Sequence, residues 1–209
     1  MNFNNIEINW LGHDGFKIKN SKIIYIDPFK IKDNEKADLI LITHEHYDHL
    51  SLEDLQKIST KNTIIVAAEI CKDKFLGLNY KEVKLVKPGD KLDLDNIKGE
   101  AVHSYNPNKQ FHPKRDLRVG YILTINKTRI YHAGDTDLIP EMSNLKNIDI
   151  ALLPVSGTYV MDVNEAVQAV KIIQPKIAIP MHYASIVGTR KDAEEFKNLA
   201  SKYCKVEIL

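Results

Sequence analysis

Three runs of the chain, "DLILIT" (38–43), "DIALLPV" (149–155) and "KIAIPM" (176–181), are apolar almost without interruption. A strand with one wet face alternates polar and apolar residues. Runs that do not alternate read as strands buried on both faces, so a helix or a second sheet must cover each side. Further β-like runs surround them: "IEINWLG", "FKIKN", "KIIYID", "TIIVAA", "YKEVKLV", "YILTI" and "TRIYHAG". Helical patterns sit between. Ser51 with Asp54 three residues on makes a capping-box start, and Leu52, Leu55 and Ile58 then share a face. Asp162 with Glu165 opens a second helix, whose stripe is Val163, Ala166, Val167, Val170 and Ile173 and which Pro175 stops. Thr189 caps a third, with Ala193, Phe196 and Leu199 facing inward, and weaker helical patterns cover 69–76 and 137–145. Many strands with few helices predict an α+β fold of packed sheets flanked by helices.

The 209 residues suit one domain spanning 1–209, or two small halves sharing an interface; no linker, low-complexity tract or internal repeat divides them. A net charge of +1 supplies no attraction for nucleic acid or an anionic membrane. No apolar run reaches the roughly 18 residues of a membrane helix, and "MNFNNIEINW" lacks a signal-peptide core. The two cysteines, Cys71 and Cys204, have no metal-ligand spacing and make no disulfide framework. The expectation is a cytoplasmic protein acting on a small molecule. Assembly into a homo-oligomer is compatible with the sequence, which marks no interface.

The chemistry concentrates in "THEHYDHL" (43–50), directly after the buried run 38–43 and before the Ser51-capped helix. A strand-to-helix loop at the carboxyl end of a buried strand is where rigid scaffolds present ligands. His44 and His46 alternate, so extended backbone points both imidazoles one way, and Asp48 and His49 follow to face a second centre. Distant partners are available at other strand ends: His103 in "AVHSYNPN", Asp135 in "HAGDTD" and His182 in "IPMHY". Together these residues complete two sites of three to four ligands.

These motifs resemble the metallo-β-lactamase superfamily of metal-dependent hydrolases. "NWLGHDGF", "HAGDTD", "LLPVSGTYVM" and "AIPMHY" are similar to its small-hydrolase branch related to ascorbate-6-phosphate lactonase. Asp14 departs from that branch, where a small neutral residue is expected after Gly12-His13. The resemblance implies a four-layer αββα sandwich and two divalent ions. Zn(II) is the default, with Mn(II) or Fe(II) compatible with a His/Asp donor set. His44, His46 and His103 would hold the first ion, Asp48, His49 and His182 the second, and Asp135 would bridge. Two ions about 3.5–4 Å apart acidify a shared water for attack on a carbonyl or phosphoryl centre, with Asp48 and Asp135 the carboxylates expected to serve catalysis.

His13 and His132 are the expected supports behind the ligands. "FHPKRDLR" offers His112, Lys114, Arg115 and Arg118 for an anionic substrate, and Tyr183 for an oxyanion. Trp10 and Phe16 are expected in the core. The function expected is hydrolysis of a small ester, lactone or phosphorylated metabolite. The alternative is a phosphodiesterase or nuclease on the same site, against which a near-neutral chain argues. A redox role like that of flavodiiron proteins is disfavoured by His46, where those carry glutamate. A secreted β-lactamase is disfavoured by Asp135, where those commonly carry cysteine.

Overall fold

In each half of the chain the strands take their places in the order in which they are read. The computed structural model describes residues 1–32, 34–94 and 97–209, which fall into two compact units, Met1–Lys87 and Pro88–Leu209. In the first unit, β1 (Asn2–Phe3), β2 (Ile6–Gly12), β3 (Gly15–Lys19), β4 (Ile23–Ile26), β5 (Leu39–Ile42), β6 (Ile64–Ala68) and β7 (Glu82–Val86) form one seven-stranded sheet in chain order. β1 to β4 pair antiparallel and β4 to β7 parallel.

The second unit repeats the scheme with β8 (Lys91–Leu94), β9 (Ile97–His103), β10 (Val119–Ile125), β11 (Thr128–His132), β12 (Ile150–Pro154), β13 (Ile177–Met181) and β14 (Lys205–Val206). Here β8 to β11 are antiparallel and β11 to β14 parallel. The sequence shows no repeat, but the topology does.

Helices serve the parallel connections, as a parallel crossover requires. α1 (Leu52–Ile58) joins β5 to β6, α2 (Val163–Ile173) joins β12 to β13, and α3 (Arg190–Ala200) joins β13 to β14. The three caps are those read from the sequence. Ser51 accepts from the Asp54 amide, and Asp162 with Glu165 and Thr189 with Asp192 form capping boxes. The two weaker helical patterns shrink to short 3₁₀ turns, Glu69–Cys71 and Pro140–Asn144.

The three continuous apolar runs become β5, β12 and β13, in which every residue is buried. Each fully buried Leu or Ile among them contributes about 1.5–3 kcal/mol of transfer free energy, which holds the strand ends in fixed places. Phe16 is fully buried, as expected. Trp10 is not a core residue: it is half-buried, and its indole N–H donates to the His13 carbonyl at 2.8 Å. Among the described residues no helix is long and apolar enough to cross a membrane.

Candidate metal centre

In the first unit, the donors lie at the carboxyl ends of β4 and β5 and in the turn between β2 and β3. Thr43 follows β5 and is fully buried. Its amide donates to Asp27 Oδ1 at 2.8 Å, and its hydroxyl donates to Asp27 Oδ2. That spends the only hydroxyl hydrogen, so the 2.9 Å contact of Thr43 Oγ1 with His44 Nδ1 must be donated by the ring. His44 is therefore protonated on Nδ1 and presents the lone pair of Nε2. That atom lies 3.1 Å from Nδ1 of His46. The other His46 nitrogen, Nε2, is 3.8 Å from the Glu45 carboxylate. Two imidazole nitrogens thus face each other, an arrangement that a cation would satisfy.

His49, fully buried, is oriented the same way: its Nδ1 lies 2.9 Å from Asp27 Oδ2 and its Nε2 3.9 Å from Asp48 Oδ2. Asp27, His44 and His49 bring donor atoms within 4.8 Å of one another. His13 Nε2 reaches Asp48 Oδ2 at 3.0 Å. Asp14 is fully buried, with Oδ2 3.9 Å from His49 Nδ1, so the unexpected acid faces this cluster. His13 at φ 51° and Asp27 at φ 42° hold left-handed backbone that non-glycine residues rarely adopt, a strain typical of functional sites.

In the second unit, Asp135 follows β11 and His182 follows β13 at φ 58°. Asp135 Oδ1 lies 3.4 Å from His182 Nε2, and its Oδ2 lies 3.7 Å from His112 Nε2. All three residues are buried. Ser156 Oγ is 2.9 Å from His182 Nδ1 and orients the ring. His182 Nε2 and the Asp135 carboxylate face each other at a distance that suits a cation. The donor sets of both units, imidazole and carboxylate only, fit a divalent metal. His132 accepts from the Gly134 amide at 3.2 Å and so shapes the loop that carries Asp135.

Other expected residues take the following places. His112 stands against Asp135. His103 ends β9, opposite Val119 of β10, and its ring packs edge-on to Tyr105. β9 and β10 are antiparallel, so the connection from 104 to 118 must turn, and its excursion carries His112 to Asp135.

Lys114 and Arg118, expected on substrate, instead fasten this loop. Lys114 pairs with Glu141 and lies 5.0 Å over the Tyr105 ring. Arg118, only 6% exposed, donates to the Phe111 carbonyl at 2.6 Å and pairs with Asp116 at 3.1 Å. Arg115 is open to solvent. Tyr183 is buried, and burial pushes its phenol above the usual range. Sequence reasoning missed Asp27, Thr43 and Ser156, which orient the histidines. "YIDPF", an acid-proline pair closing an apolar run, was the available signal for Asp27. Phe111, next to His112 in the chain, forms an exposed aromatic pair with Tyr159, centroids 4.8 Å apart.

With this geometry the comparisons have a clear meaning. The sequence model of the beta-lactamase superfamily domain matches residues 7–182. The chain belongs to this family, the metallo-β-lactamase superfamily of metal-dependent hydrolases, and has its α+β sandwich fold. Among its relatives is a UPF0173 metal-dependent hydrolase of Thermoplasma acidophilum, 38% identical over 94% of this chain and 91% of that one. Another, from Pyrococcus furiosus, is 34% identical over 98% and 96%. Of solved structures, a Parabacteroides distasonis protein matches with a TM-score of 0.86 at 36% identity, over 97% of this chain and 92% of its own. Igni18, a metallo hydrolase of Ignicoccus hospitalis, matches at 0.80 and 25%, over 98% and 94%.

Proposed function

We propose that this chain hydrolyses a small ester, lactone or phosphorylated metabolite at a centre of two divalent ions. In the first unit His44, His46, Asp48 and His49, and in the second His112, Asp135 and His182, are the donors that would hold them. The observation that carries this reading is the pair of His44 and His46 nitrogens 3.1 Å apart, with the His44 tautomer set by Thr43 to present a lone pair. Divalent ions supply Lewis acidity and a water acidic enough to attack near neutral pH.

The chain's own residues do the rest. Thr43, Asp27 and Ser156 fix the imidazoles, so the ligands need no reorganisation on binding. Asp135, an acceptor while ionised, orients the attacking water and takes its proton, then returns it to the leaving group. Its 4% exposure keeps bulk water from competing for that proton. Phe111 and Tyr159 offer an apolar wall to the substrate beside His112, which favours an ester or lactone with an apolar part.

The test is turnover by metal-reconstituted protein of a lactone and ester panel against bis(p-nitrophenyl) phosphate. Lactone or ester hydrolysis is expected, and diester hydrolysis alone would replace this reading with the phosphodiesterase one. Asp135→Asn should lower kcat by a factor of about 10² or more, with an unchanged circular-dichroism spectrum. Near-parent rates would remove Asp135 from the reaction.

A further inference from the structure

The second unit contains a cavity of about 300 Å³ between its sheet and the 3₁₀ turn Pro140–Asn144. The strand register sets its polar wall. Ile122 pairs with both Glu100 and Tyr131, and Lys91 pairs with Glu100, so these four side chains leave one face of the sheet. Arg129, two residues before Tyr131, shares that face. Tyr121 and His132 pair on the opposite face. The rest of the wall mixes apolar side chains, Val102, Ile139, Met142 and Leu145, with the polar His103, Glu141 and Asn144.

Tyr131 is fully buried, and its hydroxyl has no hydrogen-bond partner among the described residues. Burial pushes its phenol above the usual range, so it remains a neutral O–H. The buried Nε of Arg129 likewise has no partner among the described residues, while its Nη1 is held by Glu100 at 2.8 Å. Native proteins seldom leave such groups unsatisfied, because each costs about 1–3 kcal/mol. The acids are already engaged, Glu100 by Arg129 and Glu141 by Lys114 and the Tyr105 hydroxyl. The unsatisfied buried groups are both donors, the Tyr131 O–H and the Arg129 Nε–H, with the exposed Lys91 at the rim and His103 and Asn144 completing the polar wall. The volume matches the small end of ligand pockets.

We infer that this cavity binds a small amphipathic carboxylate, whose oxygens accept from Tyr131 and Arg129 and whose apolar body fills the space beneath Met142. The inference does not depend on the hydrolase reading. The intact protein should be titrated calorimetrically with octanoate, and with octylamine as the charge-reversed control. Saturable binding of octanoate alone is expected. Tyr131→Phe should raise the melting temperature of the ligand-free protein, because it deletes an unsatisfied group. It should also weaken octanoate binding by about tenfold, the value of one hydrogen bond. Met142→Trp, which fills the chamber from the turn, should abolish binding and serves if Tyr131→Phe folds poorly. Asp135→Asn should bind octanoate as the parent does. No saturable binding by the parent, equal binding by Tyr131→Phe and Met142→Trp, equal binding of octylamine, or loss in Asp135→Asn would each overturn the assignment.

Discussion

His44, His49 and His182 each have one ring nitrogen engaged by a neighbour, Thr43, Asp27 and Ser156 in turn. Such partners typically change metal affinity 10–100-fold. Ser156→Ala should therefore weaken metal binding by about tenfold while leaving the melting temperature of metal-free protein within a degree or so, read by competition with a chromogenic chelator. Unchanged affinity would mean that the ring is held by packing alone. The two rival histidines are separated by a simpler measurement. His112→Ala should lose bound metal on dialysis and His103→Ala should retain it, by elemental analysis; the reverse result would restore His103 as the ligand. The cluster at 44–49 was readable because four donors crowd one loop after a buried strand. His112 was read as a substrate residue, not a metal donor, because a histidine in the middle of a long connection carries no periodic signal. The serine and threonine supports were invisible for a related reason: a hydroxyl's role lies in where its single hydrogen points, which only the fold decides.

At the scale of elements, capping chemistry transferred almost unchanged from sequence to structure because it is local: the capping residues at 51, 162 and 189 need only neighbours three residues away. The patterns at 69–76 and 137–145 failed because a short apolar periodicity without a cap cannot repay helix nucleation. α1 also shows a capping acid serving beyond its helix. Asp54, 3% exposed, accepts from Ser51 at 2.7 Å, from Lys57 at 3.0 Å and from the amide of Lys30 at 2.7 Å. Burial pushes its carboxyl up, but the Ser51, Lys57 and Lys30 bonds together outweigh it and hold it below the ordinary 3.8. The folded protein thus binds this proton less tightly than the unfolded chain. The resulting stability is fully present above the ordinary value and is lost as pH falls through the lowered one. In urea melts, the parent midpoint should therefore drop more steeply below about pH 4 than that of Asp54→Asn. Parallel acid limbs would assign the effect to other carboxylates.

For the whole molecule, the fold class followed from counting strands against helices and from runs too apolar to be half-wet. The repeated topology did not, since the two units share an order of pairing and no residue pattern. If the clustered donors hold ions in the native state only, chelation should lower the melting temperature and added Zn(II) should restore it, by an amount that grows with the logarithm of free metal. A melting temperature indifferent to both would mean that no ion is bound.

Both sheets are built strictly in chain order, and this bears on how the molecule comes into being. A ribosome delivers the chain from its amino end, and here each new strand finds its neighbour already in place, the one made just before it. No strand waits for a distant segment to be synthesised before its sheet can continue, so the loop-closure cost of each pairing is small and the time spent with an open, adhesive edge is short. The architecture suits vectorial assembly during synthesis, one strand at a time.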